Sequence, residues 1–387
     1  MSIMGMREWF RKNRASMLVV FVLLLVGLLI SYGRFGSSPT YTAADYEKML
    51  TDAREAYAAD PESPENVFYM YQVLNSYAVF LNESHQEPEQ AKAMSNEAIT
   101  YYDMYYGMLA DEAKDTYQAS PNYANASVVA NYLSQRVQAQ SLSESMDPAA
   151  MQAEVNNWMV IALGHRLDEV NAELANTPND SALLADLADA TSALAYYKHE
   201  QDNTFDQNPA YQESLALYQQ AIANKPADID LTNLAGYYSS AAACAYELKD
   251  YAQAQQLYLQ AVEVCGGALE PAALAELYTN AAVCANAQDD KAAAEGFYQQ
   301  AVAAAPGDYN ANMNYASFLL NAARYDEAIA VFTAYRDTFD KNSEEYQTAQ
   351  ENLDYIQSIK DMMESPEPEN DGEGETANNE GQPEATN

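Results

Sequence analysis

Basic residues are scarce in this chain of 387 residues: 19 lysines and arginines stand against 57 acidic residues, a formal net charge of −38. Five of the basic residues (Arg7, Arg11, Lys12, Arg14 and Arg34) fall within the first 34 residues beside one acid, Glu8. The remainder therefore holds 14 basic and 56 acidic residues. Such a field repels phosphate backbones, and nucleic acid is excluded as a partner. Glycine is also scarce, at 14, and no sustained Val/Ile alternation marks a strand, so an all-helical chain is expected. Three cysteines (Cys244, Cys265 and Cys284) are too few, and odd in number, for a disulfide framework. They form no Cys-x-x-Cys pair, so thiol redox chemistry has no support. A Cys244–Cys265 or Cys265–Cys284 bridge stays open. The three histidines, His85, His165 and His199, are far apart and stand in no metal-ligand spacing. Nucleophile-elbow, P-loop, dinucleotide and EF-hand patterns are missing, and Asp289-Asp290 reads as a turn cap. No catalytic residue, metal or cofactor is expected, and the chain does not read as an enzyme.

What the chain does have begins with an apolar run. Residues 17–30 are uncharged, and extended to 15–33 the segment has 19 residues, close to the ~20 that cross a bilayer as a helix. Basic residues precede it, which keeps residues 1–14 in the cytoplasm and exports the bulk, to a periplasmic or cell-surface location. A cleaved signal peptide is the competing reading, because the unbroken core is short and Ser31 and Gly33 make a weak cleavage site. The basic stretch and the Trp9-Phe10 pair favour an uncleaved single-pass anchor. Residues 34–44 read as a linker. Residues 365–387 hold Pro, Glu, Gly and Asn without a bulky apolar residue and are expected to be a disordered acidic tail.

Between them lies a repeat. Counted from Ala275, positions 4, 8, 20, 24, 27 and 32 are Tyr278, Ala282, Ala294, Tyr298, Ala301 and Pro306. Counted from Tyr309, 34 residues later, they are Asn312, Ala316, Ala328, Phe332, Tyr335 and Asp340. A third copy from Ala235 places Tyr238, Ala242, Ala254, Tyr258 and Ala261 at positions 4, 8, 20, 24 and 27. Small residues let two helices approach, and the aromatics fill the space beside them. The same register puts Cys244 and Cys284 at one packing position and aligns Tyr218 with Tyr258 and Tyr298 once a long loop, Gln201–Asn208, is allowed for. Core packing is thus the main use of the 31 tyrosines; Tyr237, Tyr246 and the Tyr101–Tyr106 group are set apart as candidates for surface recognition.

Further helices are expected over Tyr46–Ala59, Pro64–Leu81, Pro88–Ala119, Pro121–Ser141 and from Pro148, capped by Asp147, to about Asn176. Residues 181–200 pair with 209–224, and Tyr346–Glu364 closes the array.

These residues resemble tetratricopeptide repeats. The resemblance rests on Tyr251–Tyr258, Ala292–Ala301 and Arg324–Phe332, is strong over 235–340, and weakens through 181–234 and 45–180. Alanine replaces the family's glycine at position 8, and Tyr or Asn its tryptophan at position 4. The resemblance implies antiparallel helix pairs stacked in a right-handed superhelical solenoid, degenerate over 45–180 and regular over 181–364; the apolar run places one transmembrane helix before them. It also implies a concave groove that takes a protein or peptide partner. By register the groove residues are Tyr246, Glu247, Glu276, Thr279, Asn286, Asn310, Met313 and Asn321. With them come Gly236, Ser239, Ala243, Val283, Ala287, Ser317 and Leu320. This surface lacks the Lys/Arg clamp with which some members hold a terminal carboxylate. In layout the chain is similar to bacterial inner-membrane proteins that assist translocon or envelope assembly. The expected function is a membrane-anchored scaffold for protein–protein interaction, in envelope assembly or in protein export and folding. An exported cell-wall or polysaccharide-binding module is the alternative.

Overall fold

The structure, a computed structural model, describes residues 41–84, 87–142 and 148–364. The apolar run 15–33, the segments before and after it up to residue 40, His85, Asp147 and the 365–387 tail lie outside the described residues. Among the described residues there are fourteen α-helices, one 3-10 turn (Gly266–Ala268) and no strand. In chain order the helices are α1 (Ala43–Ala59), α2 (Pro64–Glu83), α3 (Pro88–Ala119), α4 (Tyr123–Ser141), α5 (Pro148–Leu174), α6 (Ser181–Gln201) and α7 (Asn208–Ala223). They continue as α8 (Leu231–Glu247), α9 (Tyr251–Cys265), α10 (Pro271–Ala287), α11 (Lys291–Ala304), α12 (Tyr309–Asn321), α13 (Tyr325–Arg336) and α14 (Glu344–Glu364).

Side chains at the helix starts decide where each begins. Thr42 and Asp45 form a reciprocal capping box, so α1 starts three residues ahead of Tyr46 and takes up the end of the expected linker. Asn122 is extended and accepts from the Asn125 N–H at 2.9 Å, so α4 starts at Tyr123 and not at Pro121. Aspartate caps recur at Asp180, Asp230, Asp250, Asp290 and Asp308. Part of the acidity is thus spent where the helix dipole favours negative charge. Asp290 accepts from Ala293 N–H at 3.0 Å, in keeping with the cap expected of the Asp289-Asp290 pair.

The chain divides into two compact units. The first runs to Leu269 and takes in Val283–Asp289; the second comprises Glu270–Ala282 and the residues from Asp290 on. In the first, each helix from α1 to α9 packs on its chain neighbour, and α6 also touches α8. Contact between alternate helices is what stacking of helical hairpins requires. In the second, α11 packs on α12, α12 on α13 and α13 on α14.

The register positions are where the cores lie. Ala242, Ala254 and Ala261 are fully buried in the first unit, and Ala282, Ala294, Ala301, Ala316, Ala328 and Phe332 in the second. Alanine at these positions removes side-chain bulk, and the adjoining Tyr258, Tyr298 and Tyr335 fill the remaining space.

The turns show a feature that scarce glycine makes costly. Lys249, Asp289 and Ala323, each at position 15 of its repeat, have φ of 63°, 62° and 56°. At Lys249 and Ala323 the following N–H reaches back five residues, from Asp250 to Ala245 O and from Arg324 to Leu319 O, both at 2.9 Å. This is the helix-ending geometry in which glycine is the unstrained residue.

Candidate functional site

No described residue group has the makings of a metal site. The three thiols are free and buried. Burial pushes the Cys244 thiol up to about 12 and the Cys284 thiol up to about 11, so neither is a ready nucleophile. The bridges left open above do not form. His165 is half-buried and its Nε2 shares a hydrogen bond with the Tyr117 hydroxyl at 3.0 Å. His199 Nδ1 bonds the Phe205 carbonyl at 3.0 Å.

Among the described residues, Tyr46, Tyr77, Tyr218, Tyr237, Tyr258, Tyr298, Tyr315 and Tyr335 are buried, and the other tyrosines keep part of their surface open. Tyr218 is 2% exposed, and its hydroxyl donates to Asp189 across 29 residues of chain. Burial raises the Asp189 carboxyl pKa, and the Tyr218 hydrogen bond offsets part of that rise. Tyr237, set apart as a surface candidate, is only 5% exposed: it lies on the buried face of α8 with Leu234 and Ala241. The Tyr101–Tyr106 group is half-buried. Tyr102 packs on Tyr71 at 4.9 Å and on Tyr106 at 4.7 Å, and Tyr105 packs on Phe68 at 4.7 Å. Burial pushes the Tyr105 hydroxyl up to about 12. The contacts among Tyr71, Tyr102, Tyr105 and Tyr106 are tilted or edge-on. Nearby, Arg136 donates twice to Asp103 at 3.0 Å and Gln140 once at 3.0 Å, which ties α3 to α4.

The groove residues named by register fall in both units. In the first, Glu247 is exposed while Tyr246 and Asn286 are half-buried. In the second, Glu276, Asn310 and Asn321 are exposed, Met313 is half-buried and Thr279 is buried. Position 5 of that repeat is therefore packed at Thr279, one helical turn from the buried Ala275 and Ala282.

Two surface cavities lie in the first unit. One, of about 260 Å³, is lined by Gln219, Gln253, Gln256, Gln260, Tyr238, Ile222 and Leu257. The other, of about 210 Å³, is lined by His199, Phe205, Asp206, Gln207, Asn208, Tyr211 and Glu247. The second is built by the segment between α6 and α7, the loop that exceeds the repeat's needs. Asp202 starts it, accepting from Thr204 N–H at 3.0 Å and from the Thr204 hydroxyl at 2.7 Å. Phe205 is held by its N–H on Asp202 O at 2.9 Å and by its carbonyl on His199. Asp206 accepts from Asn208 N–H at 3.0 Å, and the Tyr211 hydroxyl donates to Gln207 Oε1 at 2.7 Å. Sequence alone flagged the loop by its length and Glu247 by its register, with nothing to say that the two meet.

Residues 285–353 match the tetratricopeptide repeat family model. No curated protein matches the chain. Among solved structures, BtubC (BKLC) from P. vanneervenii is 14% identical, with 58% of this chain and 99% of that one covered and a TM-score of 0.37. MamA is 13% identical over 54% of this chain and 98% of its own, with a TM-score of 0.35. YrrB, described as a TPR protein with an unusual peptide-binding site, is 15% identical over 50% and 92%, with a TM-score of 0.32.

Proposed function

We propose, on the premise that residues 285–353 are tetratricopeptide repeats, that the chain is a protein-interaction scaffold. It takes an extended segment of a protein partner on the exposed faces of its first-in-pair helices. The observation that carries this is the division of labour along α8: Leu234, Ala235, Tyr237, Ala241, Ala242, Cys244 and Ala245 are buried. Gly236, Ala243 and Glu247, on the register's groove positions, remain exposed. A helix whose second face is small, polar and open is suited to lie against a partner's backbone. Taken unit by unit, the polar contacts of that reading are Glu247 in the first, and Glu276, Asn310 and Asn321 in the second.

The finer reading adds place. The 15–33 run anchors the chain once in a bacterial cytoplasmic membrane, with residues 1–14 inside and the repeats outside. There the scaffold serves envelope assembly or protein export and folding. Its support is the charge asymmetry around the run; among the described residues no helix is long and apolar enough to cross a membrane. The polysaccharide reading draws less support, because Tyr237 is buried and Tyr102, Tyr105 and Tyr106 are half-buried in tilted and edge-on contacts with one another.

The test is photocrosslinking in the native host. A crosslinking residue at Glu276 or Asn310 is expected to capture a discrete protein, whereas one at Gln299, on the second helix of its pair, does not. Equal capture at all three positions would sink groove binding. Protease added to intact spheroplasts tests the topology: survival of the repeats would rule out export.

A further inference from the structure

The 202–207 loop is more chain than a helical hairpin needs, since two to five residues join most such pairs. It is nevertheless tightly ordered, with Thr204, Phe205, Asn208 and Tyr211 all hydrogen-bonded within the loop and its flanks. What it builds is part of the wall of the 210 Å³ cavity, which Glu247 at the end of α8 also lines.

We propose that this cavity is a pocket for a cationic side chain, an arginine or a lysine, of the peptide partner; the proposal rests on the scaffold reading above. Its chemistry has three parts. The first is charge: Asp206 and Glu247 line the cavity, and among the described residues no hydrogen bond or ion pair engages the Glu247 carboxylate. The second is an aromatic surface. Phe205 is 36% exposed and its ring already accepts a cation, for Lys198 Nζ lies 5.8 Å from its centroid without being part of the cavity lining. Tyr211 supplies a second ring. The third is neutral polar groups, Gln207 and Asn208, which offer carbonyl acceptors to a guanidinium's several N–H donors. The field of Glu247 reaches inside: the Tyr211 hydroxyl is pushed up to about 12, by burial first and by the Glu247 charge next. A volume of 210 Å³ admits one long side chain and no folded element. An anionic or apolar side chain would leave Glu247 unpaired and desolvated, which selects against both.

The experiment uses the full chain in detergent micelles and a positional-scanning library of blocked dodecapeptides, one position at a time fixed as each residue. Wild type is expected to enrich Arg or Lys at one position about fivefold or more over Gln and Leu. Glu247→Gln and, separately, Phe205→Ala are expected to bring that ratio near unity and leave the other positions unchanged. Both residues are exposed, and circular dichroism checks that both variants fold. Binding without a basic preference, or a preference that survives Glu247→Gln, overturns the pocket and leaves the scaffold standing. Failure of wild type to retain any peptide overturns both.

Discussion

Ala323 sits at φ 56°, in the left-handed region, at the turn between α12 and α13. A residue with a Cβ loses roughly 1–2 kcal/mol there, because Cβ crowds the carbonyl oxygen. Glycine relieves that strain, but it gains freedom in the unfolded chain worth roughly 0.4–1 kcal/mol. The difference predicts that Ala323→Gly stabilises the second unit by about 0.5–1 kcal/mol. The preceding residue supplies the control. Ala322 has φ −92° and ψ 8°, in the bridge region on the negative-φ side, where Cβ meets no left-handed strain. There the relief is missing and the unfolded-state term remains, so Ala322→Gly destabilises by about 0.5–1 kcal/mol. Neighbouring alanines, both exposed, thus respond with opposite signs. Urea unfolding followed by circular dichroism reads the global effect, and hydrogen exchange over peptides spanning 309–340 reads the local one. Equal signs at the two positions would refute the reasoning, as would a loss of protection in Ala323→Gly. The same substitution at Lys249 is expected to gain about as much, and at Asp289 less, because aspartate tolerates the left-handed region better.

Further outcomes follow from the polar pairs and the buried thiols. Tyr218→Phe strands the Asp189 carboxylate and is expected to cost about 2 kcal/mol at pH 7. Asp189→Asn keeps an acceptor for Tyr218 without the buried charge and is expected to cost less, which chemical denaturation measures. The Asp189 carboxyl pKa is raised on folding. Its contribution is therefore fully present below the unfolded carboxyl value and fades as pH rises through the folded one, and Asp189→Asn flattens that dependence. Glu295 behaves in the opposite sense: hydrogen bonds from Arg324, at 2.7 and 2.8 Å, lower its pKa. Its contribution is present above the unfolded value near 4.5 and is lost as pH falls through the depressed one. Acid unfolding of Arg324→Gln is expected to lose that component, and an unchanged acid limb would contradict it. Finally, the three buried thiols are expected to resist a thiol reagent at pH 8 until denaturant is added; fast labelling of native chain would show that the first unit opens locally.

Much of this was legible in the residues alone. The 34-residue register depends on positions that return to one helix face, and helical periodicity is a local property. Hence the register alone assigns Ala242, Ala282, Ala316, Cys244 and Cys284 to the core, and they are buried. Proline and Asx or Ser/Thr signals likewise found most helix starts within a few residues, because capping is settled by neighbours in sequence. The groove surface was legible only as a list of positions. Thr279 shows the reason: register names a position, whereas burial depends on what neighbouring helices place against it, and Thr279 is packed where the register expects groove.

The chain by itself determined the helices, the hairpin pairing and the identity of the packing residues, since each depends on spacing within one or two helical turns. Tertiary structure alone decided that Tyr237 turns inward and that Tyr218 reaches Asp189. It alone decided that position 15 adopts left-handed backbone without glycine, and that the 202–207 loop and Glu247 line one cavity. Each of these joins groups that local periodicity does not relate. They are set by how closely neighbouring helices approach, which is a sum over the whole packed face and is written at no single position.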